Sequence, residues 1–161
     1  MTTVVDVGCA EHVDELGLLH ESIRPLVARF RPRLLLGLDP LADLATYRHE
    51  GCEVRTYPVA AWNRGGTVAY RDPGIEGFTV DRKARPQVEC VDLAELILER
   101  DDEIVLKLDA EGAEYLLLEH LIAQRADERL TLILVEWHGA MQARRNRIER
   151  QLACPLEQWH P

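Results

Sequence analysis

Two short stretches carry the densest chemistry in this chain. Lys107-Leu108-Asp109-Ala110-Glu111-Gly112-Ala113-Glu114 crowds carboxylates behind one lysine, and Glu136-Trp137-His138 joins an acid to an imidazole across one aromatic residue. Carboxylates and imidazoles take and return protons near neutral pH when a fold brings them together. Asp109 and Glu136 also offer oxygen ligands of the kind that hold magnesium or calcium. Asp109, Glu136 and His138 are therefore candidate catalytic residues, with Asp109 or His138 as base, Glu136 orienting it, and a divalent ion as the alternative way to activate a hydroxyl. Two further stretches suit binding. In Asp6-Val7-Gly8-Cys9-Ala10 the glycine admits a close approach of ligand to backbone, and in Leu38-Asp39-Pro40 the acid matches one that accepts hydrogen bonds from ribose hydroxyls in nucleotide-binding units. Plainer uses compete with these. Asp39 suits a turn or helix cap, and Glu111 with Glu114 resembles a capping arrangement in a first helical turn.

For these residues to meet, the elements that carry them must end in one place. Residues 3–7, 33–38, 54–59, 103–108 and 131–135 are short runs rich in Val, Ile and Leu, the pattern of strands covered on both faces. Between them, residues 16–30, 41–50, 93–100 and 114–125 repeat apolar positions three and four apart, as in Leu16, Leu19, Ile23, Leu26, Val27 and Phe30. That spacing predicts helices with one apolar stripe. Strand and helix in alternation predict an α/β fold with a mostly parallel sheet and helices on both faces. Ligands then bind outside the carboxyl ends of the strands, where Gly8, Asp39, Asp109, Glu136 and His138 fall. Strand alternation puts Lys107 and Asp109 on one side, and separates Glu136 and His138 from Trp137.

Residues 63–86 break the rhythm. Asn63-Arg64-Gly65-Gly66, Asp72-Pro73-Gly74 and Arg85-Pro86 are turn sequences around a predicted strand at 67–70. With residues 87–91 that strand suits an antiparallel ribbon whose loop folds over the site. A last helix is predicted over 140–152, and Arg144, Arg145, Arg147 and Arg150 on it read as a solvated face.

The chain has 161 residues, enough for one domain with its own core. Its formal net charge of −9 argues against general binding to nucleic acid or an anionic membrane, since polyanions are held by surplus Lys and Arg. Cys9, Cys52, Cys90 and Cys154 form no CxxC pair and read as reduced thiols of a cytoplasmic protein. No apolar run approaches the roughly 20 residues that cross a bilayer.

Taken in order, Asp6-Val-Gly-Cys-Ala10, Leu38-Asp-Pro40, Pro58-Val-Ala-Ala61, Val91-Asp-Leu-Ala-Glu-Leu-Ile97, Lys107-Leu-Asp-Ala-Glu-Gly-Ala-Glu114 and Val135-Glu-Trp-His138 resemble the FkbM-type S-adenosylmethionine-dependent methyltransferases. The likeness runs over residues 3–138. It implies a Rossmann-like class I methyltransferase fold, S-adenosylmethionine as donor, and an oxygen of a small molecule or sugar as acceptor. By position it implies Asp6, Gly8, Cys9 and Ala10 in the first cofactor loop, Asp39 on the ribose, and Ala60 and Ala61 beside the adenine. Asp109, Glu111, Glu136 and His138 would face the methyl group and acceptor. The chain departs from the family in having Ala10 and His12 where related enzymes carry further glycines. Too few residues follow the last helix for the family's terminal β-hairpin, which predicts a shortened sheet. Acceptor recognition is left to residues 63–86 or to a second copy of the chain in a homo-oligomer. The rival readings are a degenerate methyltransferase fold acting as a binding or scaffold module, and a metal-dependent hydrolase.

Overall fold

A computed structural model describes residues 1–9, 22–69 and 87–160. Its centre is a seven-stranded sheet. The strands are β1 (Thr2–Val7), β2 (Leu34–Leu38), β3 (Ala45–His49), β4 (Cys52–Tyr57), β8 (Glu103–Leu108), β9 (Leu130–Val135) and β10 (Leu156–Gln158), in the order β10-β9-β8-β1-β2-β4-β3. Every neighbouring pair is parallel except β3 with β4. A smaller sheet contains β5 (Ala60–Trp62), β6 (Gly66–Ala69) and β7 (Gln87–Asp92), with β7 in the middle and antiparallel to β6. The helices are α1 (Ile23–Phe30), α2 (Leu93–Leu98), α3 (Glu114–Gln124) and α4 (Gln142–Gln151).

Alternation along the central strands divides the core in two. Val4, Leu35, Val54, Val105 and Leu134 point to the face covered by Ile23, Leu26 and Val27 of α1. Val5, Leu106, Leu108, Ile133 and Val135 point to the other face, covered by Leu93 and Ile97 of α2 and Leu117, Leu118 and Leu121 of α3. At roughly 25 cal/mol per Å² of apolar surface, two such layers supply the main drive to fold. The fold is α/β with a mostly parallel central sheet and helices on both faces, as the alternating runs predict. Among the described residues, no helix is long and apolar enough to cross a membrane.

One expectation needs revision. Residues 41–50 do not form a helix. Ala45–His49 is a strand that pairs His49 with Cys52 through the two-residue turn Glu50-Gly51. Both turn residues have positive φ, 47° and 87°, as a twisted two-residue hairpin requires. Leu41 and Leu44, which the helical reading places on a buried stripe, are exposed. Beyond β9 the sheet has one further strand, β10, and no hairpin among the described residues. Pro155 O accepts from Ile133 N (3.0 Å) and Trp159 N donates to Val135 O (2.8 Å), so three residues of β10 extend the sheet as a single parallel strand, and Trp159 buries its indole against the α1 side. The helix predicted over 16–30 is seen from Ile23. Its earlier part, Ala10 and His12 of the first loop, and the loop expected to fold over the site lie outside the described residues.

Candidate functional site

The strand order reverses at β1. From there the chain crosses to β2 on one side, and β8 lies on the other. Parallel pairing aligns Val7 with Leu38 and with Leu108, so Gly8, Asp39 and Asp109 leave the sheet at the same rim. Glu136 and His138 join them, because β9 pairs with β8 with Val135 opposite Leu108 and Glu136 N donates to Leu108 O (2.9 Å). Residues far apart in sequence thus converge at the carboxyl ends of the strands.

Lys107 is the deepest charged group of the rim. Its side chain is 1% exposed, with Nζ 2.9 Å from Gly8 O, 3.3 Å from Asp109 Oδ2 and 3.2 Å from Asp6 Oδ1. The Asp6 contact is a charge attraction lying off the hydrogen-bonding direction. Burial penalises the ammonium, yet Asp6 and Asp109 outweigh it and the net shift is upward. Asp6 itself is fully buried, and its Oδ2 accepts from Ser22 Oγ at 2.6 Å. The predicted binding acid therefore seats Lys107 and the start of α1 beneath the loop, and offers a ligand no open edge.

Gly8 is held to glycine by a neighbour. A Cβ there would lie 1.7 Å from Asp109 O, and its φ is +78°. The chain at the end of β8 approaches its backbone on the side where a Cβ would point. Cys9 is buried over β2, where a Cβ on Gly37 would come within 2.7 Å of Sγ. Asp39 is nearly buried, and Oδ1 accepts from Leu41 N at 2.7 Å. The turn-cap use and the rim position thus coexist in one side chain. Ala60 and Ala61 are buried where β5 pairs with Cys90 and Val91, so they form wall rather than contact surface.

The carboxylate-rich half of the rim is organised by a residue absent from the predicted set. Glu114, fully buried at the start of α3, accepts from Ala110 N (2.8 Å) and Gly112 N (3.0 Å), and lies 3.0 Å from His138 Nδ1. The two amides belong to a turn with consecutive positive φ values at Glu111 (49°) and Gly112 (101°). A non-glycine residue in that region costs about 1–2 kcal/mol, and Glu114 offsets this by satisfying the amides the turn exposes. The expected orienting acid, Glu136, is instead 3.9 Å from Nε2, the other ring nitrogen. Glu111 and Asp109 also face Nε2, at 3.5 and 3.8 Å. Burial works against a charged imidazole here, but the hydrogen bond to Glu114 and the charges of Glu114, Glu111 and Asp109 raise the His138 pKa overall. Burial raises that of Glu111 too, and Asp109, Glu114 and Glu136 add to it against the opposing effect of His138.

Asp109, Glu114 and His138 offer one atom each within 4.8 Å of one another, a separation a divalent ion spans. Two of the three are already committed, since Glu114 serves two amides and the His138 ring. The arrangement is a hydrogen-bonded cluster of carboxylates around one imidazole, groups that can take up and return protons when a fold brings them together. On the opposite side, Trp137 packs on Tyr115 with ring centroids 5.0 Å apart, and the Tyr115 hydroxyl donates to Gly139 O at 3.2 Å. Arg145 lies over Trp137, while Arg144 lies over Tyr115 and pairs with Glu119. The arginine run of α4 thus clamps the segment that carries His138. Comparisons with family models, curated proteins and solved structures found no match to this chain.

Proposed function

We propose that this chain is a S-adenosylmethionine-dependent methyltransferase of the FkbM type, with a Rossmann-like class I fold, acting on a hydroxyl of a small molecule or sugar. The observation that carries the proposal is the meeting of Gly8, Asp39, Asp109, Glu136 and His138 at one rim, at the point where the strand order reverses. Two further points support it. Numbered in chain order without β3, the six parallel strands read 3-2-1-4-5-6, the doubly wound arrangement that binds nucleotides at its reversal point. Of the stretches resembling the family, residues 6–8, 38–40, 107–114 and 135–138 lie at this rim.

The donor set fits such a ligand. Asp39 beside the first loop suits ribose hydroxyls, and the open carboxylates of Asp109, Glu111 and Glu136 suit a positively charged group. When bound, S-adenosylmethionine supplies an electrophilic methyl group on a sulfonium that needs no acid to leave. The protein's task is then to align the acceptor and take its proton. Asp109 and His138 are the groups placed to do so. Lys107 holds Asp109 from below, and Trp137 with Tyr115 fixes the strand end that bears His138.

Calorimetric titration with S-adenosylmethionine and S-adenosylhomocysteine tests the proposal. Micromolar binding is expected, weakened about tenfold to a hundredfold in Asp39→Ala, because a hydrogen bond to a charged group contributes about 1.5–3 kcal/mol. Absence of binding to both ligands would refute the enzyme and favour the scaffold reading.

A further inference from the structure

We infer that Glu114 is a positioning residue that fixes the tautomer of His138, leaving Nε2 as the atom that accepts the substrate proton. The inference rests on the reading of this rim as a proton-abstracting site and names the atom that does the work. Glu114 is fully buried, and its Oε1 lies 3.0 Å from Nδ1. A carboxylate oxygen only accepts, so Nδ1 must carry the hydrogen. The carboxylate cannot swing away, because Ala110 N and Gly112 N hold its oxygens at 2.8–3.1 Å. Nε2 faces the open side, with Glu111, Asp109 and Glu136 at 3.5, 3.8 and 3.9 Å. Those distances exceed a hydrogen bond, so each carboxylate adds negative potential there without fixing a proton.

The ring therefore keeps its Nδ1 proton throughout, and the proton that comes and goes is the one on Nε2. In the reaction the acceptor O–H bond would break, its proton going to Nε2 and its electron pair staying on oxygen; as that oxygen bonded the methyl carbon, the methyl–sulfur bond of the donor would break with its electron pair left on a neutral sulfur. The proton is later released from Nε2 to water. An unpartnered neutral imidazole prefers the hydrogen on Nε2, where it would block this role. Glu114 reverses that preference.

Long-range proton–nitrogen NMR on the ligand-free, histidine-labelled chain reads the tautomer directly, with the His138 signals assigned by their loss in His138→Gln. At a pH where the ring is neutral, the expected pattern is a pyrrole-type Nδ1 and a pyridine-type Nε2. Glu114→Leu, which removes the acceptor at Nδ1, should reverse it, because an unpartnered neutral ring favours the hydrogen on Nε2. In Glu114→Gln an amide oxygen in the place of Oε1 still accepts from Ala110 N, Gly112 N and the ring, and the native pattern should stay. A native ring protonated on Nε2, or a Leu variant with an unchanged pattern, would overturn the inference, and the native spectrum decides alone if the variants fail to fold. With a methyl acceptor in hand, Glu114→Leu should lower kcat by about 10²- to 10⁴-fold, the usual worth of a positioned base, with donor affinity unchanged. Failure of calorimetric donor binding alongside the expected tautomer pattern would refute the methyltransferase reading and leave the Glu114–His138 pair standing.

Discussion

Lys107→Met removes the cation that ties the ends of β1 and β8 together, and its cost can be worked from the contacts. The ammonium is 1% exposed and meets Asp6 Oδ1 at 3.2 Å, Asp109 Oδ2 at 3.3 Å and Gly8 O at 2.9 Å. Asp109 is 25% exposed and can turn to water. Asp6 is fully buried, and among the described residues only the Ser22 hydroxyl remains for it without Lys107. Stranding one partner of a buried pair costs about 3–5 kcal/mol, a large share of the roughly 5–15 kcal/mol that holds a domain. At about 2–4 °C per kcal/mol for this size, the melting temperature should fall by roughly 6–20 °C. The double variant Asp6→Asn/Lys107→Met removes the stranded charge while keeping an acceptor for Ser22, and should regain about 1–3 kcal/mol. Urea unfolding of both single variants, the double variant and the parent closes the cycle. A Lys107→Met cost under about 1 kcal/mol, or a double variant no more stable than Lys107→Met, would refute the reasoning.

Gly8→Ala combines a left-handed backbone, costing about 1–2 kcal/mol, with a Cβ driven into Asp109 O, costing about 1–3 kcal/mol as overpacking. A loss of about 2–5 kcal/mol in urea unfolding is expected, and a loss below about 1 kcal/mol would mean the neighbouring carbonyl yields easily. His138 has a raised pKa in the fold, so its ion contacts stabilise fully below the unfolded value near 6.5 and are lost as pH rises through the higher folded value. The stability gap between the parent and His138→Gln should therefore narrow as pH rises above about 6.5, and a gap that stays constant as pH rises would show that the charge contributes nothing.

Much of this architecture was legible because continuous apolar runs such as Ile104-Val105-Leu106 fit only a strand covered on both faces, and their ends named the rim. Residues 41–50 misled because Leu41, Leu44 and Tyr47 fall at helical spacing. The stronger signal was the alternation of Ala45, Tyr47 and His49 with exposed Thr46 and Arg48, closed by Glu50-Gly51. Glu114 escaped the site because an acid in a first helical turn is explained by capping alone. Its second duty depends on a contact with His138, reached only after α3 and β9 have brought the chain back. The Asp6–Lys107 pair was hidden for a related reason, since parallel register across 101 positions sets Asp6 opposite Lys107. Motifs marked where chemistry gathers, and pairing decided which acid serves which base.

The two outer strands of the central sheet also set what its edges offer to a further strand. β3 presents Thr46 and Arg48 to solvent, and β10 is three residues long with Glu157 and Gln158 exposed, Glu157 being tied to Arg29 at 2.7 Å. Short, charged margins are poor templates for strand addition. The hairpin that replaced an expected helix therefore ends the sheet in a margin ill suited to sheet-to-sheet pairing.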